Sequence, residues 1–302
     1  MGLRKLAVPV LAALLLVGCS NEAAPAADRV REVASSSGAS RIGLVMVSPT
    51  AVQVTYLGGD KPMVATKTSG DVTTVPGQAA LLTRPVGVDE LGLDDFTARL
   101  AERKGCPDGT WGTINVTHGG AVVQQVGCSD PQGGKLKDSY LDGTALKPIE
   151  AWNDASLTSQ LEELRALVGD QAMELGFYTP RSTSVDPSFR AMAVSAPITG
   201  VDGKKCFVQA RRAGTMPADG IGWINYQGCE AATPLGETPF AISELSAAKI
   251  LAALERGAAK LKIDVDDFGD FTVISTKGRL TVQMKVAQGV SAQSPVWAEP
   301  ID

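Results

Sequence analysis

Apolar side chains recur every three to four residues in some segments of the chain and every second residue in others. The first period predicts helices over residues 28–36, 93–104, 157–168 and 244–262. The third helix is the clearest, because one apolar stripe runs along it: Leu157, Leu161, Leu164 and Val168. Asn153 or Ser156 can cap its start, and Gly169 is expected to end it. Ser243 is the expected cap of the fourth helix.

Segments that alternate in polarity, or that are rich in β-branched residues, predict antiparallel strands. These strands are expected over residues 41–47, 51–57, 63–66, 72–75, 113–117, 121–126, 189–196, 206–211, 221–227, 271–275 and 280–286. The last two form the best-marked hairpin, which turns at Lys277 and Gly278. Apolar and polar residues alternate strictly in its second strand, so one face is expected to be buried and the other solvated.

The order of these elements predicts a mixed α+β fold, in which antiparallel hairpins carry helices packed on one face. Three times a helix leads into a strand pair, which indicates a loosely repeated helix-strand-strand unit. Residues 129–152 are polar, contain several glycines and show no periodicity. We therefore expect an N-terminal α+β domain over 28–130, a linker over 131–152, a C-terminal α+β domain over 153–290 and a tail over 291–302.

The N-terminal segment has the layout of a secretory signal peptide. Arg4 and Lys5 precede about a dozen almost wholly apolar residues, too few for the roughly 20 that span a bilayer as a helix. The segment ends on the motif Leu16-Val17-Gly18-Cys19. This ending resembles the lipobox of bacterial lipoproteins. The resemblance implies that residues 1–18 are a signal peptide and that Cys19 becomes a diacylglyceryl-modified N-terminus. A retained anchor, a buried helix and a signal peptide cleaved without lipidation are the alternatives.

Lipidation at Cys19 would hold the protein on the membrane without a spanning helix. Two acyl chains bind a bilayer stably where a single chain binds only marginally. Residues 19–27 form a short tether of mostly small residues, so the folded body is expected to lie close to the bilayer. The expected location is the outer, extracytoplasmic face of the cell membrane, as cell surface or periplasm.

The net charge makes the chain a poor candidate for binding nucleic acid, and we expect no nucleic-acid partner. The chain carries a formal charge of −5, and loss of the two cations Arg4 and Lys5 with the signal peptide changes it to −7. A protein that binds nucleic acid needs basic surface that neutralises phosphates. The same acidity disfavours binding to anionic lipid head groups, which leaves the acyl chains as the membrane contact.

Four cysteines remain after Cys19: Cys106, Cys128, Cys206 and Cys229. An even number in an exported chain indicates two disulfides, for which three pairings are open. We favour Cys106 with Cys128 and Cys206 with Cys229, because both pairs open with Lys-x-Cys and close with Gly-Cys. A redox or metal-binding role for these thiols is the alternative, but the chain contains no Cys-x-x-Cys spacing.

Two short motifs have the residues of a nucleophilic site but lack its other parts. The chain contains one histidine, His118, which lies in a Thr-His-Gly-Gly turn without a serine-hydrolase motif. Ser246 and Lys249 have the Ser-x-x-Lys spacing of serine β-lactamases, yet no Lys-Thr-Gly strand follows them. We interpret His118 as a polar residue at a hairpin tip and Lys249 as an exposed helix residue.

The acidic segment 264–270 has carboxylates and a glycine, as a calcium loop does. As an EF-hand it fails, because Phe268 and Ser275 occupy ligand positions, so a solvated turn is the simpler interpretation. No phosphate-cradling Gly-rich motif appears, and we expect no cofactor.

The leading hypothesis is a non-catalytic, lipid-anchored envelope protein that acts as a binding or interaction module. Its partner would be another envelope protein or a hydrophobic ligand. A carrier of lipid or another hydrophobic ligand between helices and sheet is one alternative, and a carboxylate-dependent hydrolase is another. The first would need an apolar cavity, and the second would need two acids that face one cleft.

Overall fold

The chain folds into helices and antiparallel sheets, which confirms the mixed α+β prediction. The structure is a computed structural model that describes residues 24–128, 135–149, 151–182, 190–216, 220–230, 234–287 and 296–301. Cys19, the predicted signal peptide 1–18 and most of the tether lie outside the described residues. Within them, no helix combines the length and the apolar character needed to cross a membrane.

The N-terminal half contains two helices and one eight-stranded antiparallel sheet. Its elements are α1 (Ala26–Ser37), β1 (Ile42–Val47), β2 (Val52–Gly58), β3 (Lys61–Lys67), β4 (Thr73–Pro76), α2 (Leu93–Glu102), β5 (Thr110–Val116), β6 (Val122–Cys128), β7 (Lys135–Leu141) and β8 (Thr144–Ala145). The strand order is β4-β3-β2-β1-β5-β6-β7-β8. Apolar residues of both helices, among them Val30, Val33 and Phe96, are buried in one core with residues of the sheet.

The C-terminal half repeats the combination of two helices with one large sheet. Its elements are α3 (Asp154–Val168), β9 (Gln171–Ala172), β10 (Glu174–Tyr178), β11 (Ala191–Thr199), β12 (Lys205–Met216), β13 (Gly220–Glu230), β14 (Phe240–Ala241), α4 (Ala247–Leu261), β15 (Phe268–Thr276), β16 (Arg279–Val286) and β17 (Val296–Pro300). The seven-stranded sheet has the order β13-β12-β11-β10-β15-β16-β17, and β9 pairs with β14. Both helices bury their apolar stripes against this sheet, and Leu164 and Ile250 are fully buried.

Local chemistry explains where three of the helices begin or end. α1 stops at Gly38, whose φ of 70° is readily adopted by glycine. The Asn153 side chain accepts the Ser156 N–H at 2.9 Å, so Asn153 is the cap of α3 and Ser156 is not. The prediction of Ser243 as the cap of α4 was wrong. Ser246 caps that helix, and the Ser243 hydroxyl instead donates to Asp170 at 2.7 Å.

The predicted linker and tail both contain strands. Within residues 131–152, β7 and β8 extend the first sheet, and within residues 291–302, β17 pairs with β16. The sequence did not predict these strands because they bury polar side chains, which give no apolar pattern. Ser139 of β7 is buried and accepts a hydrogen bond of 2.9 Å from buried Gln125. Glu299 of β17 is likewise buried.

Both cysteine pairs form the disulfides that we favoured. The α-carbons of Cys106 and Cys128 lie 5.0 Å apart, and those of Cys206 and Cys229 lie 5.1 Å apart. The first bridge connects the end of β6 to the loop before β5, and the second connects neighbouring strands β12 and β13. Disulfides of this kind persist in oxidising compartments.

The two halves pack directly against each other. Val123 and Leu146 from the N-terminal half belong to the same buried cluster as the core of the C-terminal half. The Thr117 hydroxyl donates to the Ala166 carbonyl of α3 at 3.1 Å. At Gly228 the two halves approach so closely that a Cβ atom on this residue would overlap the Ala80 carbonyl oxygen. The junction is therefore a packed interface that includes part of the core.

Candidate functional site

The outer face of the C-terminal sheet carries a polar pocket, which we call the outer pocket. It lies on strands β10 to β13 and has a volume of about 380 Å³. Pro234 also lines the pocket. The polar side chains come from four neighbouring strands: Glu174, Tyr178, Ser195, Gln209, Arg211 and Gln227. The opposite face of the same strands packs on the helices, so the pocket is separated from the core by the sheet itself.

The strand register places four of these side chains in one row. Glu174 pairs with Ser195, Ser195 with Gln209, and Gln209 with Gln227. Neighbouring strands lie about 4.8 Å apart, so the row crosses the sheet in steps that one small ligand can bridge. The row consists of a carboxylate, a hydroxyl and two amides, which together offer both donors and acceptors.

The next row leaves space above the sheet. Gly176 pairs with Ala193, and Ala193 pairs with Arg211, so two small residues precede a long cationic one. A Cβ atom at Gly176 would lie 2.8 Å from the Tyr178 hydroxyl oxygen, so the absence of a side chain there admits that hydroxyl. The floor is therefore formed by small residues, with Tyr178 and Arg211 beside it.

Two groups of the outer pocket lack partners among the described residues. Ser195 is 8% exposed, and its Oγ atom is buried without a hydrogen-bond partner. The Arg211 side chain is half-buried and makes no hydrogen bond or ion pair in the described part of the chain. A buried hydroxyl without a partner costs free energy, and a half-buried cation without a counter-ion does too. A bound ligand would satisfy both groups.

Charges of both signs surround the Tyr178 hydroxyl. Burial raises the pKa of Tyr178, and the negative charges of Glu174 and Asp270 raise it further, while Arg211 opposes the shift. The phenol is therefore protonated at neutral pH and can donate a hydrogen bond. Glu174 accepts one bond of 3.2 Å, from the Leu235 N–H. A carboxylate has capacity for further donors. The outer pocket can thus bind a small polar molecule.

A second cavity lies where the two halves meet, between α3 and the segment 141–148. It has a volume of about 800 Å³, and we call it the junction groove. Its floor holds a buried ion pair, in which Arg212 Nε lies 2.6 Å from Glu163 Oε2. Burial raises the pKa of Glu163 and lowers that of Arg212, while the attraction between the two groups opposes both shifts. Arg212 also donates to the Lys147 carbonyl and so connects the two halves.

Among the described residues, no nucleophilic side chain is hydrogen-bonded to the His118 ring, whose Nδ1 atom is buried without a partner there. The ring is half-buried at the junction, where burial and the charge of Arg84 lower its pKa. The residue lies just after β5, in the turn before β6, and the following Gly119 N–H donates to the Leu167 carbonyl at 3.1 Å. His118 therefore belongs to the contact between the halves, beside the tip of a hairpin as expected.

The other two motifs have local structural roles. The Ser246 hydroxyl accepts the Lys249 N–H at 3.3 Å, so the Ser-x-x-Lys spacing is that of a helix cap and its third residue. In the acidic segment, Asp267 accepts a hydrogen bond of 2.7 Å from Arg181 and another of 3.1 Å from the Asp264 N–H. Among the described residues, no group of three or more His, Cys, Asp or Glu side chains is arranged to hold a metal ion.

The predicted site residues contribute to the outer pocket only through the second disulfide. Cys206 and Cys229 join β12 and β13, the strands that carry Gln209, Arg211 and Gln227. The polar residues themselves were not predicted, because the apolar pattern did not reveal β10. The alternation of Leu175 and Phe177 with polar or small neighbours is the signal that could have found it.

Comparison with known proteins assigns no family. No protein-family model and no curated protein matches the chain. Among solved structures, a DNA polymerase sliding clamp from Pseudomonas aeruginosa is 12% identical over 92% of this chain and 63% of its own, with a TM-score of 0.17. A sliding clamp from Bartonella birtlesii is 14% identical over 92% of this chain and 60% of its own, with a TM-score of 0.15. A chain of a PCNA2-PCNA3 complex from Sulfolobus tokodaii is 9% identical over 91% of this chain and 96% of its own, with a TM-score of 0.14. The chain thus spans less than two thirds of the two bacterial clamps.

Proposed function

We propose that the protein is a lipid-anchored, outward-facing cell-envelope lipoprotein that acts as a non-catalytic binding module, with the outer pocket as its ligand site. The observation that carries the binding role is the pocket's unsatisfied polar lining, above all the buried Ser195 hydroxyl and the half-buried Arg211 guanidinium. Groups of this kind gain most when a complementary ligand supplies the missing partners.

The proposed anchor rests on the lipobox motif and is supported by the disulfides. Two bridges within the described residues fit an oxidising compartment, which a lipoprotein on the outer face of a membrane occupies. Helix α1 begins at Ala26, so the six residues 20–25 separate it from Cys19 and reach about 20 Å when extended. The start of α1 is tied to the body, because the Ala27 N–H donates to Thr97 at 2.8 Å.

The geometry lends less support to the other two functions. A hydrophobic-ligand carrier needs space between helices and sheet, but Leu157, Leu164 and Ile250 fill that layer and are fully buried. A carboxylate-pair hydrolase needs two acids in one cleft. In the outer pocket, Glu174 is the one carboxylate among the described lining residues. The junction groove is lined by Asp142, Glu162 and Glu163, but Glu163 is engaged in the ion pair with Arg212.

Mass spectrometry of the protein purified from its native membrane tests the anchor. We expect an N-terminal peptide that begins at Cys19 and carries acyl chains, and we expect Cys19→Ser to release the protein from the membrane fraction. A Cys19→Ser variant that is exported by an unrelated signal peptide is the control, because it loses the anchor but not export. An unmodified N-terminus that retains Met1 would overturn the proposal.

A further inference from the structure

We infer that the outer pocket binds a small zwitterion of dipeptide size, whose carboxylate pairs with Arg211 and whose amino group pairs with Glu174. This inference rests on the proposed binding function of the pocket and names the ligand class. Its basis is the complementarity of the lining: Glu174 begins a row that neutral hydrogen-bonding groups continue, and the cation Arg211 lies in the next row.

Arg211 defines the anionic end of the ligand. The side chain lines the pocket and has no counter-ion among the described residues. A guanidinium presents parallel N–H groups that match the two oxygens of a carboxylate and bind it more strongly than a neutral acceptor. In the half-buried setting of β12, such a pair is less screened by solvent than an exposed one.

Glu174 defines the cationic end. Its carboxylate accepts one hydrogen bond, from the Leu235 N–H at 3.2 Å, and has no cationic partner among the described residues. An ammonium group brings a positive charge and three donors, which suits an anion with remaining lone pairs. Tyr178, whose pKa the Glu174 charge helps to raise, can donate to the ligand between the two ends.

The register sets the length of the ligand. Arg211 lies two strands from Glu174 and two residues further along, which places their α-carbons roughly 12 Å apart. Both side chains line the pocket and are long enough to bring their charges closer together than their α-carbons. A two-residue peptide spans about 7 Å and can bridge charges brought closer in this way, whereas a single amino acid spans about half as much.

The middle of the ligand meets neutral groups that suit a peptide bond. The Ser195 hydroxyl can donate to a carbonyl or accept an N–H, and its buried Oγ atom has no hydrogen-bond partner in the part of the chain that the structure describes. Gln209 lies beside Ser195 in the register and offers an amide with both donor and acceptor atoms. The hydroxyls of an uncharged sugar could hydrogen-bond these groups but would leave Arg211 and Glu174 without opposite charges.

Titration calorimetry on the full mature protein in detergent micelles tests the ligand class. The probes are alanylalanine, its N-acetyl and C-terminal amide derivatives, inorganic phosphate and glucose. We expect alanylalanine to bind most tightly, and each blocked derivative to bind at least tenfold more weakly. Arg211→Gln is expected to weaken alanylalanine binding at least tenfold, with Arg211→Lys intermediate. Arg279→Gln, which changes an exposed arginine outside the pocket, should leave binding unchanged.

The outcomes separate the ligand class from the pocket itself. Thermal melts of each variant first establish that it is folded. Tighter binding of phosphate or glucose, with NMR shifts on β10 to β12, would overturn the zwitterion and retain the pocket. Alanylalanine binding that is insensitive to Arg211→Gln, or that shifts other strands, would also overturn the inference. If no probe binds, both the ligand class and the use of this pocket in the proposed function are contradicted, whereas acylation at Cys19 is judged separately.

Discussion

The backbone N–H of His118 donates a hydrogen bond of 2.8 Å to the hydroxyl oxygen of Tyr226. The same hydroxyl lies 2.9 Å from Thr83 Oγ1. His118 and Thr83 belong to the N-terminal half and Tyr226 to β13 of the C-terminal half. One phenol therefore connects two separate loops of one half to an edge strand of the other.

Replacement of Tyr226 by phenylalanine is expected to weaken this junction. The buried His118 N–H loses its acceptor, which should lower the free energy of unfolding by about 1–2 kcal/mol. Urea unfolding at pH 7 measures the effect. Tyr56→Phe is the matched control, because it removes a hydroxyl that donates at 3.1 Å to Ser37 within one half. Only Tyr226→Phe should also increase hydrogen exchange at residues 117–120, and equal exchange in the two variants would contradict the junction role.

The same phenol should make the free energy of unfolding decrease at alkaline pH. Burial raises the pKa of Tyr226 to about 12 in the folded protein, against roughly 10 in an unfolded chain. The folded state therefore holds this proton more tightly, and its contribution to stability is complete below pH 10 and decreases as pH rises towards 12. A difference of two pKa units corresponds to roughly 2–3 kcal/mol. In denaturant unfolding between pH 9 and 11.5, Tyr226→Phe should lose less stability than the wild type, and parallel curves would contradict this.

The two disulfides should each contribute to stability. The Cys106–Cys128 bridge spans a separation of 22 residues, for which loop-closure entropy predicts about 3 kcal/mol. The double variant Cys106→Ser/Cys128→Ser should therefore unfold at a lower urea concentration than the wild type. The Cys206→Ser/Cys229→Ser variant, with a separation of 23, serves as the comparison and should lose a similar amount. Reduced wild type that is as stable as the oxidised protein would show that neither bridge contributes.

Local patterns predicted the elements whose stability comes from an apolar stripe. The stripe of α3 and the alternation of the last hairpin both correspond to elements of the structure. β10 escaped because it has five residues and an interior glycine, which weakens any strand signal. A Cβ atom at Gly176 would lie 2.8 Å from the Tyr178 hydroxyl, so the glycine lets that hydroxyl pack over the strand. The residue that makes room for Tyr178 thus also weakens the strand signal.

The outer pocket could not be predicted, because it depends on strand order rather than on local sequence. Glu174 and Arg211 face one pocket because β11 lies between β10 and β12 in the sheet and pairs with both in the register described above. No local period encodes which strand lies beside which. The disulfide pairing was predictable, since the repeated Lys-x-Cys and Gly-Cys boundaries mark the ends of out-and-back strand segments.

The buried pair Arg212–Glu163 should show strong coupling in a double-mutant cycle. Arg212 is fully buried, so Glu163→Leu would remove the carboxylate from a desolvated guanidinium and should cost about 3–5 kcal/mol. The double variant Arg212→Met/Glu163→Leu removes both charges and should recover most of that loss. Urea unfolding of the wild type, both single variants and the double variant gives the coupling energy. Additive losses would show that the two groups do not act as a pair.

The stability of β17 at acid pH should depend on whether the Glu299 carboxylate is ionised. Hydrogen bonds from Lys260, at 2.6 Å, and from Trp297 lower the pKa of Glu299. Since its folded pKa is below its unfolded value, the stabilisation is present above the unfolded value of about 4.5 and is lost as pH falls below it. Glu299→Gln should therefore unfold more easily than the wild type at pH 7, and the difference should shrink towards pH 3. Glu255→Gln, on the exposed side of α4, is the control and should follow the wild type. Hydrogen exchange across β16 and β17 measures the local effect, and a difference that stays constant from pH 7 to pH 3 would rule out the ionised carboxylate as its source.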